Sequence, residues 1–306
     1  MQLLTKPISC AFIALLLTCA CTSPVENVEK SPTSVASLAQ SEPENITLNI
    51  AVIPSHRSQE RDRNFQQLAD YLQQELKVPI NIQLTPDYES AVSLIAEEKV
   101  EVAYLGPFAY VKAKNQNPKL EPLVAHIDKE TGRPWYTSVI AVDTQSGVQS
   151  LEDLKGKRFG FVSRTSTSGY LVPMAQFREM NIDPDTDFAA VEYAGRHDSN
   201  ATALAEGKVD AAAMTKVTYV TAQTSGFLPS DRYKVIWESA PIPNSPVVIN
   251  NKIPESLKSN LRRALVDAPE DIVGIAGSSR SSGYTLVQDE DYEPIRKMQA
   301  LGLEAD

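Results

Sequence analysis

Four hydroxyl residues stand in succession at Thr165-Ser166-Thr167-Ser168, followed by Gly169 and by the apolar spacing Leu171, Met174, Phe177. The stretch before them, residues 158–162, is apolar and strand-like, so the run occupies a strand-to-helix turn. The first N–H groups of a helix lack intrahelical partners and carry the positive end of the helix dipole, which makes such a turn a collector of oxyanions. Hydroxyl side chains add neutral donors, and Ser166, Thr167 and Ser168 are the candidate anion ligands. One hydroxyl at this place also fits an ordinary helix cap, a reading open to Ser166 or Thr167. Gly169 leaves space for a ligand to approach the backbone.

Other chemistries find little support. The histidines, His56, His126 and His197, form no pair within helical reach, and no metal or cofactor motif is present. A serine nucleophile elbow needs glycines two residues either side of the serine, but Arg164 precedes Ser166, and Ser166 and Tyr170 flank Ser168. Gly207-Lys208 is followed by Val209, so the phosphate loop of nucleotide hydrolases is missing as well. The chain is not expected to be an enzyme.

The elements that position the run alternate between strand and helix. Residues 46–53, 78–84, 100–105, 120–127 and 135–142 read as strands, and Phe65, Leu68, Leu72 and Leu76 follow helical spacing. Asp87 fits as the cap of a helix carrying Tyr88, Val92 and Ile95, and Gly106-Pro107 breaks the strand that ends near Tyr104. A second set follows: strand 158–162, helix 168–180, strand 188–193, helix 199–207 and strand 209–214. Strands at 233–237 and 246–250 and a helix at 254–268 return to the first set. The fold class is α/β with two lobes, 46–141 plus 245–306 and 142–244, joined by crossings near 141–144 and 240–245. A two-domain α/β enzyme shows the same alternation.

The N-terminus reads as a leader, with Lys6 before an apolar core at 8–17 that is too short to span a bilayer. Residues 1–20 are then a signal peptide, and Leu17-Thr18-Cys19-Ala20-Cys21 resembles a lipobox with Cys21 as the lipidated residue. Cleavage before Cys19 and an ordinary secretory peptide are the alternatives. Residues 21–45 are rich in Ser, Pro, Glu and Thr without a hydrophobic period, as in a disordered tether. All three cysteines lie within the first 21 residues, which removes thiol chemistry and disulfides from the folded part. The net charge of −10 argues against nucleic acid, and a small anion is still compatible with it because dipoles inside a dry cleft outweigh screened surface charge.

Several segments together resemble the phosphate, phosphite and phosphonate-binding proteins of ABC importers, the PhnD-like family. They are Tyr104-Leu105-Gly106-Pro107-Phe108-Ala109-Tyr110, Ser168-Gly169-Tyr170-Leu171-Val172-Pro173, Gly195-Arg196-His197-Asp198, the stretch from Gly207 to Ala213, Ile242-Pro243-Asn244-Ser245-Pro246 and Asp291-Tyr292-Glu293-Pro294-Ile295-Arg296. The resemblance implies a periplasmic-binding-protein fold of type II, a ligand cleft between hinged lobes and an ABC permease as partner. It implies a ligand contact for His197, a place near the cleft for Asp210, and Tyr88 and Tyr104 as contributions of the first lobe. Membrane attachment would run through the lipid on Cys21, on the extracytoplasmic side. Met214-Thr215-Lys216 offers no acid for an aminoalkyl ligand, although Asp198 or Asp210 could supply one. Arg164 and Arg196 either enter the cleft or face solvent. A ligand sensor of a membrane signalling system shares this pattern, and an exported phosphoester hydrolase is the enzymatic alternative.

Overall fold

The computed structural model describes residues 46–56, 59–129, 131–269, 272 and 281–301. The expected leader, the expected lipidation at Cys21 and the expected tether lie outside these residues. In chain order the first elements are β1 (Leu48–Val52), α1 (Gln59–Leu76), β2 (Ile80–Leu84), α2 (Tyr88–Ala96), β3 (Val102–Tyr104), α3 (Pro107–Gln116) and β4 (Glu121–Asp128). Two residues of β5 (Trp135–Tyr136) lead to β6 (Ser138–Asp143) and β7 (Arg158–Phe161). A π-helical turn at Thr167–Leu171 runs into α4 (Val172–Glu179), followed by α5 (Pro184–Asp187), β8 (Ala190–Tyr193), α6 (His197–Ala205), β9 (Ala211–Thr215), α7 (Lys216–Thr224) and β10 (Tyr233–Glu238). The chain closes with β11 (Ile242–Pro243), β12 (Pro246–Ile249), α8 (Glu255–Val266), β13 (Ser281–Leu286) and α9 (Glu293–Gln299).

These strands make two mixed sheets, ordered β13-β4-β12-β3-β1-β2 and β10-β6-β9-β7-β8. In the first, β1 pairs in parallel with β2 and β3; in the second, β7 pairs in parallel with β8 and β9. Helices flank the sheets, so the middle strands are apolar throughout: β1 and β3 are fully buried apart from Asn49, and Ala211, Ala212 and Ala213 of β9 have no exposed surface. Aromatic side chains fill the second lobe, with the Phe159 ring 5.3 Å from Phe177 and from Phe188. The return helix α8 packs on the first lobe, where the Tyr71 hydroxyl donates to the Ala264 carbonyl at 2.8 Å.

Two expectations are corrected. The strand at 233–237, expected to return to the first set, is β10 and pairs with β6 in the second sheet. Residues 135–142 were read as a strand completing the first lobe, with the crossing near 141–144. Ala141 instead lies mid-strand in the second sheet, paired with Ala212 on one side and Val235 on the other. The passage between sheets falls earlier, at β5, which pairs antiparallel with β11 through Tyr136 and Ile242. Only the polar pair Thr137-Ser138 interrupts the apolar pattern between the two pieces, so the change of pairing partners is not announced by a turn signal.

Candidate functional site

The hydroxyl run lies at the C-terminal edge of β7, and the loops after β1, β3, β8 and β9 end at the corresponding edges of parallel strands. In open α/β sheets these edges are where ligands bind. Thr165, Ser166, Thr167 and Ser168 are each no more than 2% exposed. Ser166 is the helix cap, its Oγ accepting from the Gly169 N–H at 3.1 Å, so the capping reading holds for this one residue. Thr167 does something else: its Oγ1 accepts from the Phe108 N–H at 2.9 Å, across the cleft at the first turn of α3. Pro107 opens that helix and has no N–H, so Phe108 carries its first free donor. Two helix starts, one per lobe, thus face the same hydroxyls.

The phenol of Tyr136, from the crossing segment, neighbours the hydroxyls of Thr167 and Ser168, which favour its ionised form. Burial raises its phenol to about 12, against the opposing effect of those hydroxyls, so it stays a neutral donor. The Ser138 hydroxyl donates to the Ser168 carbonyl at 2.6 Å. At the rim Lys112 of α3 donates to Thr165 Oγ1 at 3.4 Å, and the Ser163 hydroxyl donates to Glu89 of α2 at 3.1 Å.

His197 opens α6 and is buried; its N–H donates to the Ser55 carbonyl of the first lobe at 3.0 Å. Its Nδ1 accepts from the Thr215 N–H at 3.3 Å, which leaves the ring proton of the neutral form on Nε2. Burial, and secondarily the neighbouring His56, holds this imidazole well below its ordinary pKa. Tyr88 is buried at the first turn of α2, where Asp87 caps the helix by accepting from the Ser90 N–H at 2.7 Å. The Tyr104 hydroxyl lies 3.2 Å from His126 Nδ1, and Tyr136, which is not among the sequence candidates, neighbours the hydroxyl run.

Asp210 is placed elsewhere. It precedes β9 at the strands' opposite end and accepts from the Arg158 N–H at 2.8 Å and from its guanidinium Nη2 at 2.7 Å. Its role is to tie the starts of β7 and β9, and Arg158 holds its carboxyl below the usual range. Gly169 is also explained differently: a Cβ there would lie 2.3 Å from Val162 Cγ2, so neighbouring protein requires the glycine. Arg164 stacks over Tyr193 at 4.7 Å and donates to the Tyr170 hydroxyl at 3.2 Å, and Arg196 pairs with Asp198 at 3.1 Å.

A sequence model described as the periplasmic substrate-binding protein of an ABC transporter for phosphonate matches residues 50–292. The chain is 30% identical over 277 residues to the phosphate-import protein PhnD of Mycolicibacterium smegmatis, covering 84% of this chain and 86% of that one. It is 29% identical over 236 residues to the phosphonates-binding periplasmic protein of Escherichia coli, covering 76% and 69%. Among solved structures, PhnD1 of Prochlorococcus marinus in complex with methylphosphonate superposes with a TM-score of 0.75 at 19% identity, over 85% of this chain and all (100%) of that one. A binding-protein component of an ABC phosphonate transporter from Pseudomonas aeruginosa gives 0.74 at 24% identity, over 85% and 89%. These two structures match the two-lobed α/β fold.

Proposed function

We propose, for a chain that belongs to the family of periplasmic substrate-binding proteins of ABC transporters for phosphonates, that the ligand is a small phosphorus oxyanion without an amine: phosphite, methylphosphonate or phosphate. The family is one of transport binding proteins, working outside the cytoplasm with an ABC permease as partner, and not one of enzymes. The observation that supports this ligand class is the hydrogen bond from Phe108 to Thr167, which brings the starts of two helices to one set of buried hydroxyls. An anion between them would gain fixed dipoles and donors from both lobes in a site poor in water.

Discrimination against an amine rests on the carboxylates. A desolvated ammonium requires an acid partner. Asp198 is paired with Arg196 and Asp210 with Arg158, whereas Glu89, at the rim, accepts from the neutral Ser163 hydroxyl and keeps its charge. The M. smegmatis relative, named for phosphate import, is consistent with an amine-free ligand. Calorimetric titration of the stripped protein with phosphate, phosphite, methylphosphonate, 2-aminoethylphosphonate and sulfate tests the reading. Tightest binding by one of the first three is expected; preference for 2-aminoethylphosphonate or sulfate would overturn it.

The finer localisation is also proposed: a lipid on Cys21, with residues 22–45 as tether. Its support is the small residue Ala20 before the cysteine and the polar run after it. Cys21→Ala should move the protein from the membrane fraction to the soluble one with ligand affinity intact. Retention on the membrane would assign the anchor to Cys19 or to an uncleaved leader.

A further inference from the structure

We propose that His56 is a positioning residue for closure: it latches the first lobe onto the starts of α6 and α7 and so sets how long the ligand is held. The inference rests on the reading of the cleft as an anion site. His56 leaves the C-terminal edge of β1 in the first lobe. Its Nε2 lies 2.6 Å from Thr218 Oγ1 in the first turn of α7, on the second lobe. Thr218 Oγ1 in turn lies 2.7 Å from Thr215 Oγ1, the side chain that caps α7. The His56 ring stacks on His197 with centroids 5.5 Å apart and planes 24° from parallel. The circuit closes through backbone, since the Ser55 carbonyl accepts from His197 N–H and the Thr215 N–H donates to His197 Nδ1.

Two adjacent first-lobe residues thus engage two helix starts of the second lobe, Ser55 at the His197 backbone and His56 at the His197 ring and at Thr218. When the lobes part, the Ser55, His56 and Thr218 contacts must break together. Contacts made only in the closed form slow opening and leave the approach of ligand unaffected, so they act on dissociation. His56 therefore acts through His197 and α7.

Stopped-flow dissociation of phosphate tests this in a double-mutant cycle. His56→Ala and Thr218→Val should each raise the dissociation rate about tenfold, with association unchanged, and the double variant should be no faster than either single one. His56→Gln, whose amide can reach Thr218, should recover part of the loss. Equal melting temperatures without ligand would show that the fold is intact. Additive effects, or an unchanged rate in His56→Ala, would overturn the latch. Spin labels at Gln74→Cys and Glu179→Cys, one on each lobe, give a second reading without ligand: His56→Ala should lower the closed fraction. If that fraction falls while phosphate leaves even the unsubstituted protein unchanged, the anion site fails and the latch stands; if it does not fall, the latch fails.

Discussion

Thr167 Oγ1 and the Phe108 N–H are 2.9 Å apart, joining the hydroxyl run of the second lobe to the first turn of α3 in the first. One side-chain oxygen therefore belongs to the ligand cradle and to the contact between lobes. Accepting from Phe108 takes one of its two lone pairs, and its proton is left for the Tyr136 oxygen or an anion.

Replacing Thr167 with Ala removes both functions. Ligand affinity should fall by about 1–3 kcal/mol, the range for a hydrogen bond to a charged group. Thr167→Ser keeps the oxygen and should recover most of it. Calorimetry on the two variants checks this; equal losses would mean that the methyl group, not the hydroxyl, matters.

Tyr136→Phe should weaken binding by about 0.5–1.5 kcal/mol. It should also change the alkaline limb of stability. A phenol raised from its ordinary value near 10 to about 12 contributes stability that is fully present below pH 10 and lost as pH rises through 12. Thermal melts between pH 9 and 12 should therefore fall less steeply for Tyr136→Phe than for the unsubstituted protein. Identical slopes would remove Tyr136 from its half-buried, neutral role.

The acid limb has its own reporter. Burial lowers His126 to about 4, with Asp128 opposing, so the folded state binds fewer protons than the unfolded one. Its contribution is present above pH 6.5 and lost as pH falls toward 4. His126→Gln retains a polar group for Tyr104 and should reduce the stability lost between pH 7 and 4.5 by about 1–2 kcal/mol in urea denaturation. No difference between the two proteins would contradict a neutral, partly buried imidazole.

Asp210→Asn should separate stability from binding. The Arg158 pair is half exposed, so about 0.5–1 kcal/mol of stability should be lost, with ligand affinity unchanged. Gly169→Ala should cost more, about 1–3 kcal/mol, because Val162 occupies the space of the new methyl group. A drop in affinity for Asp210→Asn at unchanged stability would return Asp210 to the site.

What the sequence made legible was local. The strand, hydroxyl run and helix start are contiguous, so Ser166, Thr167 and Ser168 could be read together. Phe108 could not, because its part is played by a backbone N–H 59 residues away, which no side-chain letter announces. Tyr136 was hidden in an apolar run shared by two sheets, and Asp210 was misplaced because adjacency to a strand does not say which end faces the cleft. The helices α3 and α7, each begun at a strand end, were likewise missed, although Pro107 and Thr215 mark their starts. The two-lobed plan came from the alternation of strands and helices, and only the family resemblance separated a binding protein from a two-domain enzyme.

The most direct measurement is a backbone amide NMR titration with phosphate and with methylphosphonate, following Phe108 together with Ser166, Thr167, Ser168 and Gly169. Saturable shifts at Phe108 and at the hydroxyl run, with one common affinity, are expected if the anion sits between the two helix starts. Shifts confined to one lobe, or none at Phe108 while the ligand binds tightly, would contradict a site shared by both.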